Sequence, residues 1–334
     1  MRLISEVDVD RLVDPRMAVE IAAAAFMRQS SGSQPLPGRL DLRRSEPRAG
    51  MLVLSGYSSG GLGIVKSNMH TYLGSPPERT TASLLALWDM RTCQPLALIS
   101  SAAFNGHRTA SGFAAAARVL ARSNASMLTV FGAGHMAAPT IAYLAAVRPI
   151  RHVLVKSRRL EQAEQLTAEL SASSRFSGIS FEATADAERA AAAAEIIACV
   201  TSADAPVFPG EAVRPGTFVV LGGANRPSAR EVDDVLIKRA LIYADHLAGC
   251  LEKAGDIRVP LANGTIREGD LAGEIGTLLA MGSSPPLADI VAFKSIGIAP
   301  QDLALAEHVL ERADAAGAGT IYDPISGCIG GSTP

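Results

Sequence analysis

The sequence predicts an α/β fold: a doubly wound parallel sheet accompanied by a second, strand-rich α+β domain. Three observations predict it. Around residues 127–134 an apolar strand runs into a turn spaced by Gly132 and Gly134, followed by an alanine-rich helix and a second apolar strand at 153–155. From 127 to about 290, strand-length apolar runs alternate with helix-length segments, the pattern of βαβ units. The chain has 334 residues, more than one average domain, and a two-domain division suits it.

Taken in order, Ser5 to Asp10 offers a turn and a helix cap, and 14–29 reads as an amphipathic helix opened by Asp14-Pro15. A Ser/Gly/Pro loop spans 30–37. Short alternating or apolar runs at 39–42, 51–55, 62–66, 83–89 and 95–99, with turn residues between them, predict a strand-rich sheet. A helix at 108–120 leads into the glycine turn. Strands are then expected at 128–131, 153–156, 179–182, 195–200, 217–221 and 241–244, and the alanine-rich 184–194 is a crossover helix rather than low complexity. A last helix occupies 299–316, and the Gly/Ser/Pro end beyond 326 is expected to be loose.

The strand–turn–helix–strand context turns a weak glycine pattern into a dinucleotide fingerprint of the Rossmann type. Gly132 permits the tight turn, Gly134 lets the backbone approach a pyrophosphate at a helix N-terminus, and Ala137 allows close helix–strand packing. An NAD-selective site places Asp or Glu at the end of the second strand, against the ribose 2′-hydroxyl. Here that strand ends Lys156-Ser157-Arg158-Arg159, which would attract a 2′-phosphate. NADP(H) is therefore expected to be preferred, with NAD(H) possible.

Composition excludes several classes. A hydrophobic fraction of 48%, a charged fraction of 19% and a net charge of −2 give no reason to expect nucleic acid or an acidic membrane as partner. No run approaches the about 18 apolar residues a membrane span requires. The N-terminus lacks a signal-peptide core, so a cytoplasmic location is expected. Cys93, Cys199, Cys250 and Cys328 and the six histidines show no metal-ligand or disulfide spacing.

Several segments then fall together: 61–66 (GLGIVK), 107–110 (HRTA), 131–134 (FGAG), 222–231, 268–271 (EGDL) and 293–297 (FKSIG) followed by Asp302. In this order they resemble the ornithine cyclodeaminase/μ-crystallin family over nearly the whole chain. The resemblance implies a substrate-binding and dimerisation domain from 1–120 plus about 300–334, and a Rossmann domain from 121–299. It also implies homodimers and a small α-imino or α-amino acid substrate. Matched residue by residue, Arg39, Lys66, Thr80 and Arg108 fall at positions around the substrate carboxylate and reacting nitrogen. The cofactor set so implied is Thr109, Gly132, Ala133, Gly134, His135, Met136, Ser157, Arg158, Arg159, Thr201 and Ser295.

The residue chemistry agrees with these roles. A buried carboxylate needs cationic partners, which Arg39 and Arg108 can supply. Lys66 ends an apolar run, where burial would favour its neutral amine and fit it for proton transfer. Asp245, at the end of a Rossmann strand, is a further relay candidate, and His107 borders Arg108.

One departure bears on the reaction. The family's cyclodeaminases carry an acid/base Asp in a Gly-x-Asp-x-Pro-Gly-Lys segment. This chain has Asn225 there, with Ser228 and Ala229 after the proline. An amide takes up no proton at neutral pH. The reading is therefore an NAD(P)H-dependent reductase of cyclic imino acids such as Δ1-pyrroline-2-carboxylate or Δ1-piperideine-2-carboxylate, with Lys66 and Asn225 at the reaction centre. The alternatives are ornithine cyclodeamination to proline and ammonia, and a non-catalytic, crystallin-like NADPH-binding protein.

Overall fold

The computed structural model describes residues 1–33, 40–45, 49–73, 78–282, 288–323 and 329–330. The chain opens with β1 (Arg2–Ile4), α1 (Glu6–Leu12) and α2 (Pro15–Ser30). Five strands follow, β2 (Leu40–Arg44), β3 (Ala49–Tyr57), β4 (Leu62–Leu73), β5 (Glu78–Asp89) and β6 (Gln94–Ser100), and then α3 (Ser101–Leu120). Next come β7 (Met127–Phe131), α4 (Ala137–Val147), β8 (His152–Lys156), α5 (Leu160–Ala172), β9 (Ser180–Thr184), α6 (Ala187–Ala193) and β10 (Ile196–Cys199). They lead to β11 (Phe218–Leu221), α7 (Asp234–Arg239), β12 (Ala240–Ala244), α8 (Leu247–Lys253), α9 (Gly255–Ala262), β13 (Gly273–Glu274), α10 (Ile275–Met281) and β14 (Ile290–Lys294). Last are α11 (Ala299–Ala316), β15 (Thr320–Tyr322) and β16 (Ile329–Gly330).

Two compact units result: Met1–Ala25, Gly32–Arg108 and Ile298–Pro334 form the first, and Phe26–Ser31 with Thr109–Gly297 the second. Helix α3 thus contributes its opening turns to the first unit and the remainder to the second. Residues 26–31 count with the second unit because the Phe26 ring meets Phe293 edge-on at 5.8 Å and Ser30 donates to Glu274.

The first unit holds an eight-stranded sheet in the order β16-β15-β1-β6-β5-β4-β3-β2, in which β2 to β6 form an antiparallel meander. Strand β4 alternates, with Leu62, Ile64 and Lys66 buried and Val65 and Met69 exposed, so one face is packed and the other open. Helix α11 packs on this sheet, and its end is set by Gly317 in the left-handed region (φ 62°). Ser5 caps α1 in a reciprocal pair with Asp8.

The second unit is an all-parallel sheet of eight strands, β13-β12-β14-β11-β10-β7-β8-β9. Strands β10 and β11 are buried at every position, as parallel strands covered on both faces must be. The strand order reverses between β7 and β10, the switch point of a Rossmann sheet. The alanine-rich segment is the crossover helix α6, capped by Asp186 on the Arg189 amide. Strand β14 is absent from the sequence reading; it lies between β11 and β12 and carries the buried Lys294. Among the described residues, no helix is long and apolar enough to cross a membrane.

Candidate active site

In the first unit, β4, α3 and α11 bring Lys66, Arg108 and Asp302 together. Lys66 Nζ lies 2.6 Å from Asp302 Oδ1, and Arg108 Nε donates to the same oxygen at 2.9 Å. Lys66 and Asp302 are fully buried, Arg108 nearly so, and Lys66 Nζ sits 5.5 Å from the centroid of the Phe104 ring. Sequence reasoning named Asp302 as a matching residue and gave it no role. It supplies the counter-charge that a buried ammonium requires. Lys66 is therefore not the uncompensated cation its apolar strand suggested: one oxygen of Asp302 binds both it and Arg108.

Arg39 lies outside the described residues. Thr80 does not join Lys66. In the β4–β5 register Lys66 opposes Leu85 and Thr71 opposes Thr80, which puts Thr80 on the outer face with Val65 and Met69. Thr81, opposite His70, shares the Lys66 face. His107 pairs with Asp10 at 2.8 Å.

The second unit offers a dinucleotide cradle. Gly132 has φ +112°, and a Cβ there would stand 2.7 Å from the Val200 carbonyl oxygen, so only glycine fits. A Cβ on Gly134 would meet nothing within 4 Å, which leaves open space above the turn. No side chain caps α4, whose N-cap is Met136, with Ala133 and His135 in the approach to it. Uncapped helix-start amides beside open space fit a pyrophosphate. Arg158 and Arg159 are exposed at the end of β8, and neither guanidinium has an ion pair or hydrogen-bond partner among the described residues. Ser157 is half-buried beside them, and Thr109 is half-buried on α3.

Thr201 and Ser295 are held by carboxylates that sequence reasoning gave no such part. Glu231 accepts from the Thr201 amide and hydroxyl, both at 2.7 Å, and from the Gly223 and Ala224 amides at 2.8 and 3.2 Å. Asp256 accepts from the Glu231 amide at 2.6 Å and from Lys294 Nζ at 2.8 Å, while Lys294 also donates to the Ala224 carbonyl at 2.7 Å. Burial raises the Glu231 carboxyl above its ordinary value, with Lys294 opposing. Burial also opposes the Lys294 ammonium, but Asp256 and Glu231 outweigh it and raise its pKa. Burial first, and Glu231 second, push the Cys199 thiol well up, so it stays protonated.

Asp245, the relay candidate, has both oxygens occupied. Oδ2 accepts from Ser295 Oγ at 2.9 Å and from the Ile296 and Gly297 amides, and Oδ1 from the His246 amide. It clamps the loop after β14. Asn225 is exposed, and with its amide oriented to satisfy both ends it donates to the carbonyls of Ala224 and Ser295, each at 3.1 Å. A signal for Lys294 was present in the sequence, since a charged residue closing an apolar run is a candidate for buried pairing.

Against this geometry, a family model described as "Ornithine cyclodeaminase/mu-crystallin family" matches residues 1–317. The chain belongs to this family. It is 31% identical to a Δ1-pyrroline-2-carboxylate reductase of Colwellia psychrerythraea over 69% of this chain and 73% of the relative. To a protein of the same name from Bacillus cereus it is 28% identical over 96% and 98%. Among solved structures it resembles the Thermococcus litoralis Δ1-pyrroline-2-carboxylate reductase in complex with NADH and L-proline, with a TM-score of 0.88, 26% identity and coverage of 96% of this chain and 100% of that one. As a member of this family, the chain has the discontinuous α+β and Rossmann architecture that its sequence predicts.

Proposed function

We propose that this family member is an NAD(P)-dependent oxidoreductase that reduces a cyclic imino acid to the corresponding L-amino acid, with Δ1-pyrroline-2-carboxylate or Δ1-piperideine-2-carboxylate as substrate. The relatives named above support this reading. The observation that carries reduction over cyclodeamination is Asn225: its amide donates to two backbone carbonyls and takes up no proton at neutral pH. A carboxylate there would face two carbonyl acceptors. When bound, the reduced nicotinamide supplies a hydride to the imine carbon, and one proton completes the amine.

The chain's own residues do the rest. Arg108, whose Nε donates to Asp302, binds the substrate carboxylate through the guanidinium, with Arg39 as its partner. Lys66, held as an ammonium by Asp302, orients the imino acid and delivers the proton to the ring nitrogen. Gly132, Gly134 and the start of α4 hold the dinucleotide. The deciding experiment compares NAD(P)H oxidation on five- and six-membered cyclic imines with ammonia release from L-ornithine. Robust ammonia and proline formation from ornithine would overturn the reductase reading and restore the cyclodeaminase one.

NADPH is the preferred cofactor in this reading, because Arg158 and Arg159 stand where a ribose-binding acid would be. A charge-assisted phosphate contact is worth about 1.5–3 kcal/mol, so NADPH should exceed NADH by about one to two orders of magnitude in kcat/KM. Arg158→Ala is expected to erode that ratio and leave NADH kinetics nearly unchanged. Equal use of both cofactors by the parent protein would show that these side chains act elsewhere.

The protein also acts as a homodimer. Leu40, Leu42, Val65, Met69 and Leu84 are exposed on one face of the first sheet, an apolar area that a second copy would cover. A light-scattering mass of one chain would exclude this. A cytoplasmic location, which cell fractionation tests, suits the free cysteines Cys93, Cys199 and Cys250.

A further inference from the structure

The carboxyl edge of the second sheet is divided at the switch point between β7 and β10. In register, Phe131 lies beside Cys199 and Cys199 beside Leu221, so the turns that open at Gly132, Val200 and Gly222 stand side by side. A Rossmann sheet binds the two halves of a dinucleotide on either side of this point. The β7–β8 side, with the glycine turn and the start of α4, takes the pyrophosphate and the adenosine half. The nicotinamide half falls to the loops after β10 and β11, where Thr201, Gly222 and Gly223 are half-buried rather than closed off.

These two loops share one carboxylate. Glu231 is fully buried, and its two oxygens divide between the loops. Oε1 accepts from the Thr201 amide and hydroxyl, each at 2.7 Å, and so serves the loop after β10. Oε2 accepts from the Gly223 and Ala224 amides at 2.8 and 3.2 Å, and so serves the loop after β11. A Cβ on Gly223 would collide with the Thr201 backbone, so the loops also touch directly. The link reaches the glycine turn, because a Cβ on Gly132 would stand 3.4 Å from the Thr201 methyl carbon. Thr201 thus turns its hydroxyl to Glu231 and its methyl to the turn. Asp256 accepts from the Glu231 amide at 2.6 Å, and Lys294 holds Asp256 at 2.8 Å.

Four donors converge on Glu231, and a carboxylate, which only accepts, matches them all. A carboxamide of the same shape has a single acceptor oxygen. Whichever way it turns, its NH2 group faces either Thr201 or the two amides after β11, and one loop loses its tie. The glycine turn keeps a backbone anchor of its own, since the Gly132 amide donates to the Lys156 carbonyl at 2.8 Å. Resting on the dinucleotide reading above, we propose that Glu231 is a positioning residue for the nicotinamide half of the cofactor, acting through Thr201, Gly223 and Ala224 without touching the ligand.

The test separates the two halves of the site on the full chain. Calorimetry compares NADPH and NADH with ADP, which lacks the nicotinamide half, in the parent and in Glu231→Gln. Loss of hydrogen bonds to a charged group predicts a rise of about tenfold or more in the Kd of the whole dinucleotide. ADP should bind within about twofold of the parent, because the turn and helix start that hold its phosphates are unchanged. Thr201→Val keeps the methyl and removes one donor, so it should shift the dinucleotide the same way by less, and it carries the test should Glu231→Gln not fold. Combined with Glu231→Gln it should add little, since both act through one contact. Equal losses for ADP and the whole dinucleotide, no loss for the dinucleotide, or additive effects of the two variants would overturn the positioning role. A parent that binds neither NADPH nor NADH would instead overturn the dinucleotide reading, and this proposal with it.

Discussion

Lys66→Ala should lower turnover of the imino acid by about two orders of magnitude or more, the range seen when a positioned proton donor is removed. The structure adds a second reason for a large effect. Lys66 Nζ is 2.6 Å from Asp302 and the side chain is fully buried, so its loss also removes a cation that holds that carboxylate. Breaking a buried pair costs about 3–5 kcal/mol when the remaining charge is left alone. Arg108 stays on the same oxygen at 2.9 Å, so the lower end is expected, and Lys66→Met, which keeps the apolar stem over Phe104, should be milder still in stability. The two variants should therefore diverge in urea unfolding and agree in lost turnover. Dinucleotide binding, carried by Gly132, Gly134 and the start of α4, should persist in both. Near-parental turnover in either one would remove Lys66 from the mechanism.

Much of the architecture was legible because it rests on local rules. The glycine turn at 132–134, the alternation of apolar runs and the capped helices each follow from a few adjacent residues. What was not legible depends on pairing between residues distant in sequence. Thr80 and Thr81 are adjacent and chemically identical, yet the strand register alone decides which shares the Lys66 face, and it selects Thr81. Asp302 stands 236 residues from Lys66, and no spacing rule links them. Strand β14 escaped because a lysine ends its short apolar run. That lysine is tolerable only because Asp256 and Glu231, from elsewhere in the second unit, surround it. Asn225 was read from the sequence as a departure from the family's pattern, while its two carbonyl partners come from the tertiary fold.

Lys294→Met should be the most destabilising single change in the second unit. Its side chain is fully buried and bonds Asp256 and the Ala224 carbonyl, so methionine conserves the stem while leaving two buried carboxylates with no cation of their own. A loss of about 3–5 kcal/mol is expected, a fall in Tm of roughly 10 °C for a chain of this size. The effect should also depend on pH in a definite direction. Burial already raises the Glu231 carboxyl and Lys294 opposes that shift, so removing the lysine raises it further. An acid whose folded-state pKa lies above its unfolded value keeps its proton longer in the native state, so stability rises as pH falls through the folded value toward the unfolded one. The penalty of Lys294→Met should therefore be greatest near pH 8 and shrink near pH 5, read by urea unfolding at both. The loops that Glu231 holds through Thr201, Gly223 and Ala224 should loosen in parallel, and dinucleotide affinity should fall with them. A penalty that is the same at both pH values would mean that lost packing, not uncompensated charge, is what the lysine prevents.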